Sequence, residues 1–384
     1  MKMKFVLLII CLFFVRVLPA QKPVTIECRI GEGIGKIMQL SGVNNGQQKI
    51  LASASYAQNG YYGFRFIPEY EGFYVLGDGK NHEYPLYLKA GDAVSLFMDK
   101  DTIYLTGKNN TAENKVLYDW VNLSKRVCEK SIFFTRSRST YEDFFPEFEV
   151  LLSKIKPFCK NIETKNSRFN ELMKHFISYE LDRFALNFIY TPRSKHPSKE
   201  QRIAYYNSIV DNNKFQDEVI LEMPDGIKLL KLYMMFYCLE NKKNASDLQE
   251  SLAVIPNKKL QGTLVVEQAK GFGRSYFEYM EFMEKAKKYV DADQLKILED
   301  KASELYEAKK GERAIDFTCP DANGKMLYLE SSALEGIIPL DSVKLKGNGS
   351  FSFRQARPES PEFYRLRVDD KVINFSVDST ETIE

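Results

Sequence analysis

The sequence predicts a multidomain α+β protein: an antiparallel β sandwich or meander, then an all-α helical domain, then a second antiparallel β module. Apolar residues alternate with polar ones in short runs up to residue 108, recur at three- and four-residue steps from 112 to 310, and alternate again from 312 to 384. The last segment also repeats residues of the first at a constant spacing. With 384 residues, 44% of them hydrophobic, the chain can form two or three domains with buried cores.

Residues 1–20 are expected to form a secretory signal peptide. Two lysines precede an uninterrupted apolar run over residues 5–15, and the segment closes at Leu18-Pro19-Ala20. Because this run is shorter than the roughly 20 apolar residues of a transmembrane helix, we expect a mature chain that begins at Gln21 and has no membrane-spanning helix. An uncleaved anchor is the alternative, since Arg16 and the large Leu18 are unfavourable in a cleavage region.

Five cysteines follow the signal segment, namely Cys28, Cys128, Cys159, Cys238 and Cys319. Disulfides persist in exported proteins, but an odd number leaves at least one thiol unpaired. No two cysteines have C-x-x-C spacing, which argues against a zinc ribbon and against a dithiol redox motif. We interpret most of them as small buried apolar residues.

The first β module is predicted over residues 21–108. Runs of strand-forming residues occur at 25–30, 64–66, 73–76, 85–88 and 94–98. Residues that tolerate a positive φ separate several of these runs, at Asn59-Gly60, Asp78-Gly79 and Gly91-Asp92. The pattern indicates an antiparallel sandwich or a small barrel.

The helical domain is predicted over residues 112–310. Its clearest helix extends from Phe169 to Phe188, where apolar residues at three- and four-residue steps form one face. Asp291 is suited to cap a further helix that ends before Gly311. Similar patterns occur at 114–127, 141–155, 227–239 and 276–289. The short connections between them indicate a bundle or stacked hairpins.

The second β module, predicted over residues 312–384, repeats the first at an offset of 289 residues. Equivalent positions are Ile26 and Ile315, Gly35 and Gly324, Leu40 and Leu329, Leu51 and Leu340, and Gly60 and Gly349. One inserted residue then aligns Phe73-Tyr74 with Phe363-Tyr364. We therefore expect both modules to have the same strand order, with the second module shorter by a strand or two.

Two segments look like ligand-binding loops but do not have the full motif. The glycine-rich segment 31–36 has Ile30 where a phosphate-binding loop needs its first glycine and Ile37 where it needs Ser or Thr, so we interpret it as a turn between strands. Asp99-Lys100-Asp101 lacks the glycine and the distal glutamate of a calcium loop, and we interpret it as a turn at a strand end.

One loop between helices is a candidate binding site. Two prolines bracket segment 191–197, which displays Arg193, Lys195 and His196. Such a loop can hold an acidic protein partner or an anionic small ligand. An exposed helix connection with no binding role is the alternative.

Composition excludes broad classes of function. The 54 Lys and Arg residues against 52 Asp and Glu residues give a net charge of +2, which offers no basic field for nucleic acid. The three histidines are far apart in sequence and predict no histidine-rich metal centre, although carboxylates alone can bind Ca²⁺ or Mg²⁺. We expect no cofactor.

The order of these segments resembles a known architecture. A signal peptide, a β module containing the sequence 84–92 (YPLYLKAGD), and a helical domain containing 139–145 (STYEDFF) and 191–197 (TPRSKHP) are similar to the N-terminal part of envelope thiol-disulfide oxidoreductases of the TlpA and AhpC/TSA type in Gram-negative bacteria. The resemblance covers most of residues 24–325 and implies that segment 311–325 opens a thioredoxin-like domain. In that family a Trp-Cys-x-x-Cys motif follows a few tens of residues later.

The sequence departs from the family after Lys325, where the second β module follows. The tryptophan of the chain is Trp120, and Cys319 is the last cysteine. The resemblance therefore implies a scaffold and a periplasmic or envelope location, but it supplies no catalytic residue. We expect a non-catalytic exported binding or scaffold protein. The alternatives are a thiol-disulfide oxidoreductase or a single-thiol peroxidase-like enzyme acting through Cys319, and a truncated or recombined relative without its own function.

We predict that export removes residues 1–20, because a charged start, an apolar run and a small residue together form a cleavable signal. Mass spectrometry of the envelope fraction should find a chain that begins at Gln21. Recovery of the intact chain, beginning at Met1, from the cytosol would contradict this prediction.

Overall fold

The computed structural model describes residues 22–55, 60–79, 82–132, 138–210, 214–273, 275–306, 325–333, 336–345, 351–353, 362–369 and 371–377. These residues form three four-stranded sheets and nine α-helices, which confirms the predicted α+β multidomain class. The chain divides into two compact units, 1–265 and 266–384, and this division falls inside the predicted helical region. The predicted signal segment 1–20 and Cys319 lie outside the described residues.

Twelve strands are formed by the described residues. They are β1 (Val24–Ile30), β2 (Ile37–Asn44), β3 (Gln47–Ser55), β4 (Tyr61–Phe66), β5 (Gly72–Gly77), β6 (Glu83–Leu88), β7 (Ala93–Met98), β8 (Ile103–Leu105), β9 (Met326–Ala333), β10 (Gly336–Lys344), β11 (Glu362–Val368) and β12 (Lys371–Val377). The alternation pattern had not singled out β2, β3 and β8. For β3 the reason is a β-bulge: Leu51 is an extra residue opposite Leu40 and Ser41 of β2, and it disturbs the period of two that marks a strand.

The nine helices are α1 (Ala112–Ile132), α2 (Tyr141–Lys160), α3 (Ser167–Tyr190), α4 (Tyr205–Ile209), α5 (Gly226–Glu240), α6 (Leu248–Leu252), α7 (Lys258–Lys270), α8 (Tyr276–Ala286) and α9 (Ala292–Leu305). Three short 3₁₀ segments are found at Lys199–Gln201, Val219–Glu222 and Lys287–Tyr289. The predicted helices match α1, α2, α3, α5, α8 and α9. The sequence pattern missed α7, whose consecutive Leu264, Val265 and Val266 are all buried and give no helical period. Within the described residues, no helix combines the length and the apolar character needed to cross a membrane.

The first β module is a sandwich of two sheets. One sheet has the strand order β4-β1-β7-β8 and the other has the order β3-β2-β5-β6. All pairs are antiparallel except β1 with β7, which is parallel. The inner faces of both sheets form one core, to which each sheet contributes buried residues such as Ile26, Leu96, Leu40 and Leu76. All six residues of β5 are buried, so this strand is covered on both of its faces.

Helices cover the second face of β5. On the outer face of its sheet, the ring of Phe73 stacks on Phe176 of α3 with centroids 4.9 Å apart, and Tyr87 of β6 meets Phe169 of α3 edge-on at 4.9 Å. The first unit therefore has three layers, namely sheet, sheet and helices.

A buried asparagine joins the sheet edge to α1. Asn114 is 0% exposed, its Oδ1 accepts the Tyr87 N–H at 3.0 Å, and its Nδ2 donates to the Tyr87 carbonyl at 2.8 Å. The side-chain amide thus takes the place of a neighbouring strand beside β6, which is the edge strand of its sheet.

The β2–β3 hairpin turn contacts the helical layer through its backbone. Asn45 and Gly46 both have positive φ, at 49° and 73°, as a two-residue hairpin turn requires. The Gly46 N–H donates to the Leu221 carbonyl at 2.7 Å, and the Ile227 N–H donates to the Gly46 carbonyl at 3.0 Å. A Cβ on Gly46 would lie 3.1 Å from the Ile227 nitrogen, so glycine also permits this close approach.

In the second unit, α8 and α9 form a pair. The Ser275 side chain caps α8 and the Asp291 side chain caps α9, which confirms the cap predicted at Asp291. The Tyr279 hydroxyl donates to the Leu298 carbonyl at 2.9 Å and so links the two helices.

The C-terminal sheet repeats one sheet of the first module. Its order, β10-β9-β11-β12, matches β3-β2-β5-β6 strand for strand, and the 289-residue offset maps β2 onto β9 and β3 onto β10. The same positions are paired, Leu40 with Leu76 and Leu329 with Leu366. The extra residue of the bulge is Leu51 in the first sheet and Leu340 in the second, again 289 residues apart. This sheet therefore has the strand order and the paired positions of the sheet β3-β2-β5-β6, and the positions equivalent to β1 lie outside the described residues.

We predict that Asn114→Ala lowers the free energy of unfolding by about 2–4 kcal/mol, because it leaves a buried N–H and a buried carbonyl of Tyr87 without their partners. Urea unfolding of the mature chain measures this change. Asn122→Ala is the matched control, since Asn122 is exposed on the same helix and its amide donates to the Tyr118 carbonyl of that helix. We expect the control to change stability by less than about 0.5 kcal/mol. Equal effects would contradict the role assigned to Asn114.

Candidate functional site

A cavity lies where the sheet β3-β2-β5-β6 and the helices of the first unit separate. Its volume is about 220 Å³, and it is bounded by β5, β6, α1, α3, α5 and the turn between β7 and β8. Apolar side chains make up much of its wall; they include Val75, Ile103, Val121, Phe176, Phe184, Met223 and Leu229.

Helix α3 supplies both an apolar and a charged part of this wall. Phe176, Glu180 and Arg183 follow one another at steps of four and three residues, so they share the helix face that meets the cavity. Phe176 also stacks on Phe73, which fixes the distance between α3 and the sheet. The same face of α3 therefore carries an apolar contact and, one to two turns further along, an ion pair.

Three charged side chains form a cluster at the cavity. Arg183 donates to Glu180 from Nε at 2.8 Å and from Nη2 at 2.5 Å, and its Nη1 lies 3.4 Å from Asp225 at the start of α5. Burial alone would lower the pKa of Arg183, but Glu180 and Asp225 outweigh it and raise that pKa above its ordinary value. Arg183 is thus a fixed cation whose charge is matched by two carboxylates.

Cys128 of α1 also lines the cavity. Burial raises the pKa of its thiol to about 12, although Arg183 acts in the opposite direction. Thiolate is the nucleophilic form of cysteine, so at neutral pH this side chain is an inert wall residue.

The cavity continues into a groove between β2, β3 and α5. The groove has a volume of about 560 Å³. Gln48, Glu83, Pro224 and Asp225 line both spaces and form their junction. The Gln48 amide donates to Glu83 at 2.9 Å, so a hydrogen-bonded pair borders the passage.

The turn Asp99-Lys100-Asp101 lies at the mouth of the cavity. The predicted turn at a strand end is confirmed, because Asp99 Oδ1 accepts the N–H groups of Asp101 and Thr102 at 2.8 and 2.6 Å. Lys125 of α1 donates to the Asp101 carbonyl and holds the turn against the helix. The sequence had not connected this turn with a site.

The predicted binding loop, residues 191–197, lies outside the cavity and the groove. Its side chains contact other groups of the protein. The Arg193 guanidinium donates to three backbone carbonyls, those of Phe188 at 2.9 Å, Ser139 at 3.0 Å and Ser131 at 2.7 Å. It also lies over the Phe188 ring, 3.8 Å from the centroid. Arg193 therefore ties the loop to the ends of neighbouring helices.

Lys195 and His196 of this loop have local partners. Lys195 forms an ion pair with Glu142, and His196 Nε2 accepts the N–H of Arg193 at 3.1 Å. The loop brings the three predicted residues together, but none of them lines the cavity or the groove described above. Binding of an anion at this loop stays a prediction.

Sequence reasoning missed Glu83, Glu180, Arg183 and Asp225. A signal was present for two of them, since Glu180 and Arg183, together with Asp182, place three charged residues within four positions of a strongly predicted helix. Among the described residues, no group of three or more His, Cys, Asp or Glu side chains is arranged to hold a metal ion.

Comparison of the chain with models of known protein families gives no match, and comparison with curated proteins gives none either.

We predict that Arg193→Lys lowers the free energy of unfolding by about 3 kcal/mol, because an ammonium group cannot reproduce the fork of donors that reaches three carbonyls. Thermal or urea unfolding measures this loss. Lys195→Gln is the control, since its ion pair with Glu142 is exposed to solvent and should leave the stability nearly unchanged. A larger loss for Lys195→Gln than for Arg193→Lys would show that the loop is not held by Arg193.

Proposed function

We propose that this protein is a non-catalytic binding protein of the Gram-negative envelope and that it takes a small ligand into the cavity of its first unit. The observation that carries the proposal is the cavity itself, which has apolar walls, a few fixed polar groups and an opening into a groove. Concave, mostly apolar sites with a small number of placed polar groups are typical ligand sites.

The described thiols support a non-catalytic role. Cys28, Cys128, Cys159 and Cys238 are all free, and burial raises the pKa of each one, to about 12 for Cys28 and Cys128. Dithiol exchange needs a thiolate of low pKa and a second thiol to resolve the mixed disulfide. These four cysteines offer neither.

We also propose that the protein is related to the TlpA and AhpC/TSA oxidoreductases. A β module followed by helices is the order that the resemblance implies for the accessory region of those enzymes. In the proposed function this region binds a ligand, and the second β module stands where the family has its redox domain. The signal peptide is the support for export to the periplasm.

We predict that the mature protein does not accelerate insulin reduction by dithiothreitol. The assay compares the reductant alone, the protein, and the Cys319→Ser variant, because Cys319 is the cysteine whose surroundings are outside the described residues. We expect the same turbidity rate in all three samples. A rate well above that of the reductant alone, which disappears in Cys319→Ser, would contradict the binding role. It would support the oxidoreductase alternative.

A further inference from the structure

The size of the cavity limits its ligand. An apolar cavity of about 150 Å³ holds a molecule of benzene. The volume here is about 220 Å³, which accommodates one six-membered ring with a short side chain. Aromatic wall residues at Phe176, Tyr179 and Phe184 offer ring contacts to such a body.

The net charge of the cavity wall indicates the charge of the ligand. Six carboxylate residues line the cavity, namely Glu83, Asp99, Asp101, Glu129, Glu180 and Asp225. Three basic residues face them, Lys100, Lys125 and Arg183, so the wall has a net charge of −3 with histidine neutral. A cleft with excess charge of one sign and apolar walls attracts ligands of the opposite sign.

Two of the three basic residues of this wall, Arg183 and Lys125, are already held by acceptors of the protein. The Arg183 guanidinium already donates twice to Glu180 and faces Asp225, so an anionic ligand would have to displace a carboxylate from it. Lys125 donates to the Asp101 carbonyl and lies 4.0 Å from Glu129. Each of these two cations is therefore engaged by acceptors of the protein.

The junction of cavity and groove offers a position for a cationic group. Glu83 and Asp225 line both spaces, and Glu83 is exposed. An ammonium group held there keeps water on its groove side and avoids the cost of complete desolvation. Lys228 and Lys231 lie further along the groove, so cavity and groove together have six carboxylate and five basic residues and keep a net charge of −1.

We propose that the cavity binds a small organic cation, with a ring-sized apolar body inside the cavity and its ammonium group between Glu83 and Asp225. This inference rests on the proposed binding function and adds the chemical class of the ligand. The apolar body gains from removal of its surface from water, and the ammonium gains charge-assisted hydrogen bonds to carboxylates.

Three probes of similar size test the proposal by calorimetric titration of the mature protein. They are 2-phenylethylammonium, the neutral 2-phenylethanol and the anionic phenylacetate. We expect the cation to bind about tenfold more tightly than the alcohol, which corresponds to one charge-assisted contact, and the anion to bind most weakly.

Variants locate the site of binding. Glu83→Gln should weaken the cation by about tenfold and leave the alcohol unchanged, because glutamine keeps the size and loses the charge. Glu149→Gln, at an exposed position on α2, is its control and should change neither affinity. Val121→Trp fills the cavity and should abolish binding of all probes, whereas Val150→Trp, at a position 54% exposed on α2, should not.

The possible outcomes test the class of the ligand and the proposed binding function separately. If the alcohol or the anion binds as tightly as the cation, and Val121→Trp abolishes that binding, the cavity is a binding site and the cationic class is wrong. If Glu83→Gln does not distinguish the cation from the alcohol, the assigned ammonium position is wrong. If no probe binds, or if Val121→Trp has no effect, the proposed binding function fails together with this inference.

Discussion

The structure of the first unit depends on the burial of one strand on both faces. All residues of β5 are buried, so its sheet needs a second sheet on one side and a further layer on the other. Aromatic contacts from Phe73 and Tyr87 to α3 provide that further layer. Backbone hydrogen bonds at Gly46 and the amide of Asn114 then satisfy polar groups at the turn and edge of the same sheet. The cavity lies beside these contacts, where sheet and helices no longer touch.

Two arginines of this unit, the buried Arg183 and the half-buried Arg193, have different kinds of hydrogen-bond acceptor and therefore different roles. Arg193 donates to backbone carbonyls, which are neutral, and these contacts fix the loop while the guanidinium keeps its positive charge. Arg183 stays protonated, and its positive charge is offset by the carboxylates of Glu180 and Asp225. The basic residues that the sequence predicts as a binding site therefore differ from the charged residues that line the cavity.

The two repeated sheets share a register but differ on one face. In the first sheet Ser41 and Val75 lie on the face covered by helices. The equivalent residues of the second sheet are Glu330 and Arg365, and Glu330 accepts hydrogen bonds from Arg365 and from Arg367. An ion cluster replaces the apolar contact, so the second sheet does not carry the surface that binds helices in the first. Its inner face keeps the apolar pattern of the repeat. The same strand order thus supports two different surfaces.

The sequence by itself determined the fold class, most long helices and the internal repeat, because these depend on local periodicity and on the spacing of apolar residues and turn glycines. It also determined that 31–36 and 99–101 are turns, since neither has a complete ligand motif. Tertiary structure alone decided which polar residues meet. Glu83, Arg183 and Asp225 come from a strand, a helix and the start of another helix, and nothing in their spacing along the chain shows that they border one cavity. Tertiary structure also decided that the first unit has three layers. The covering of β5 depends on contacts between residues about 100 positions apart, such as Phe73 and Phe176.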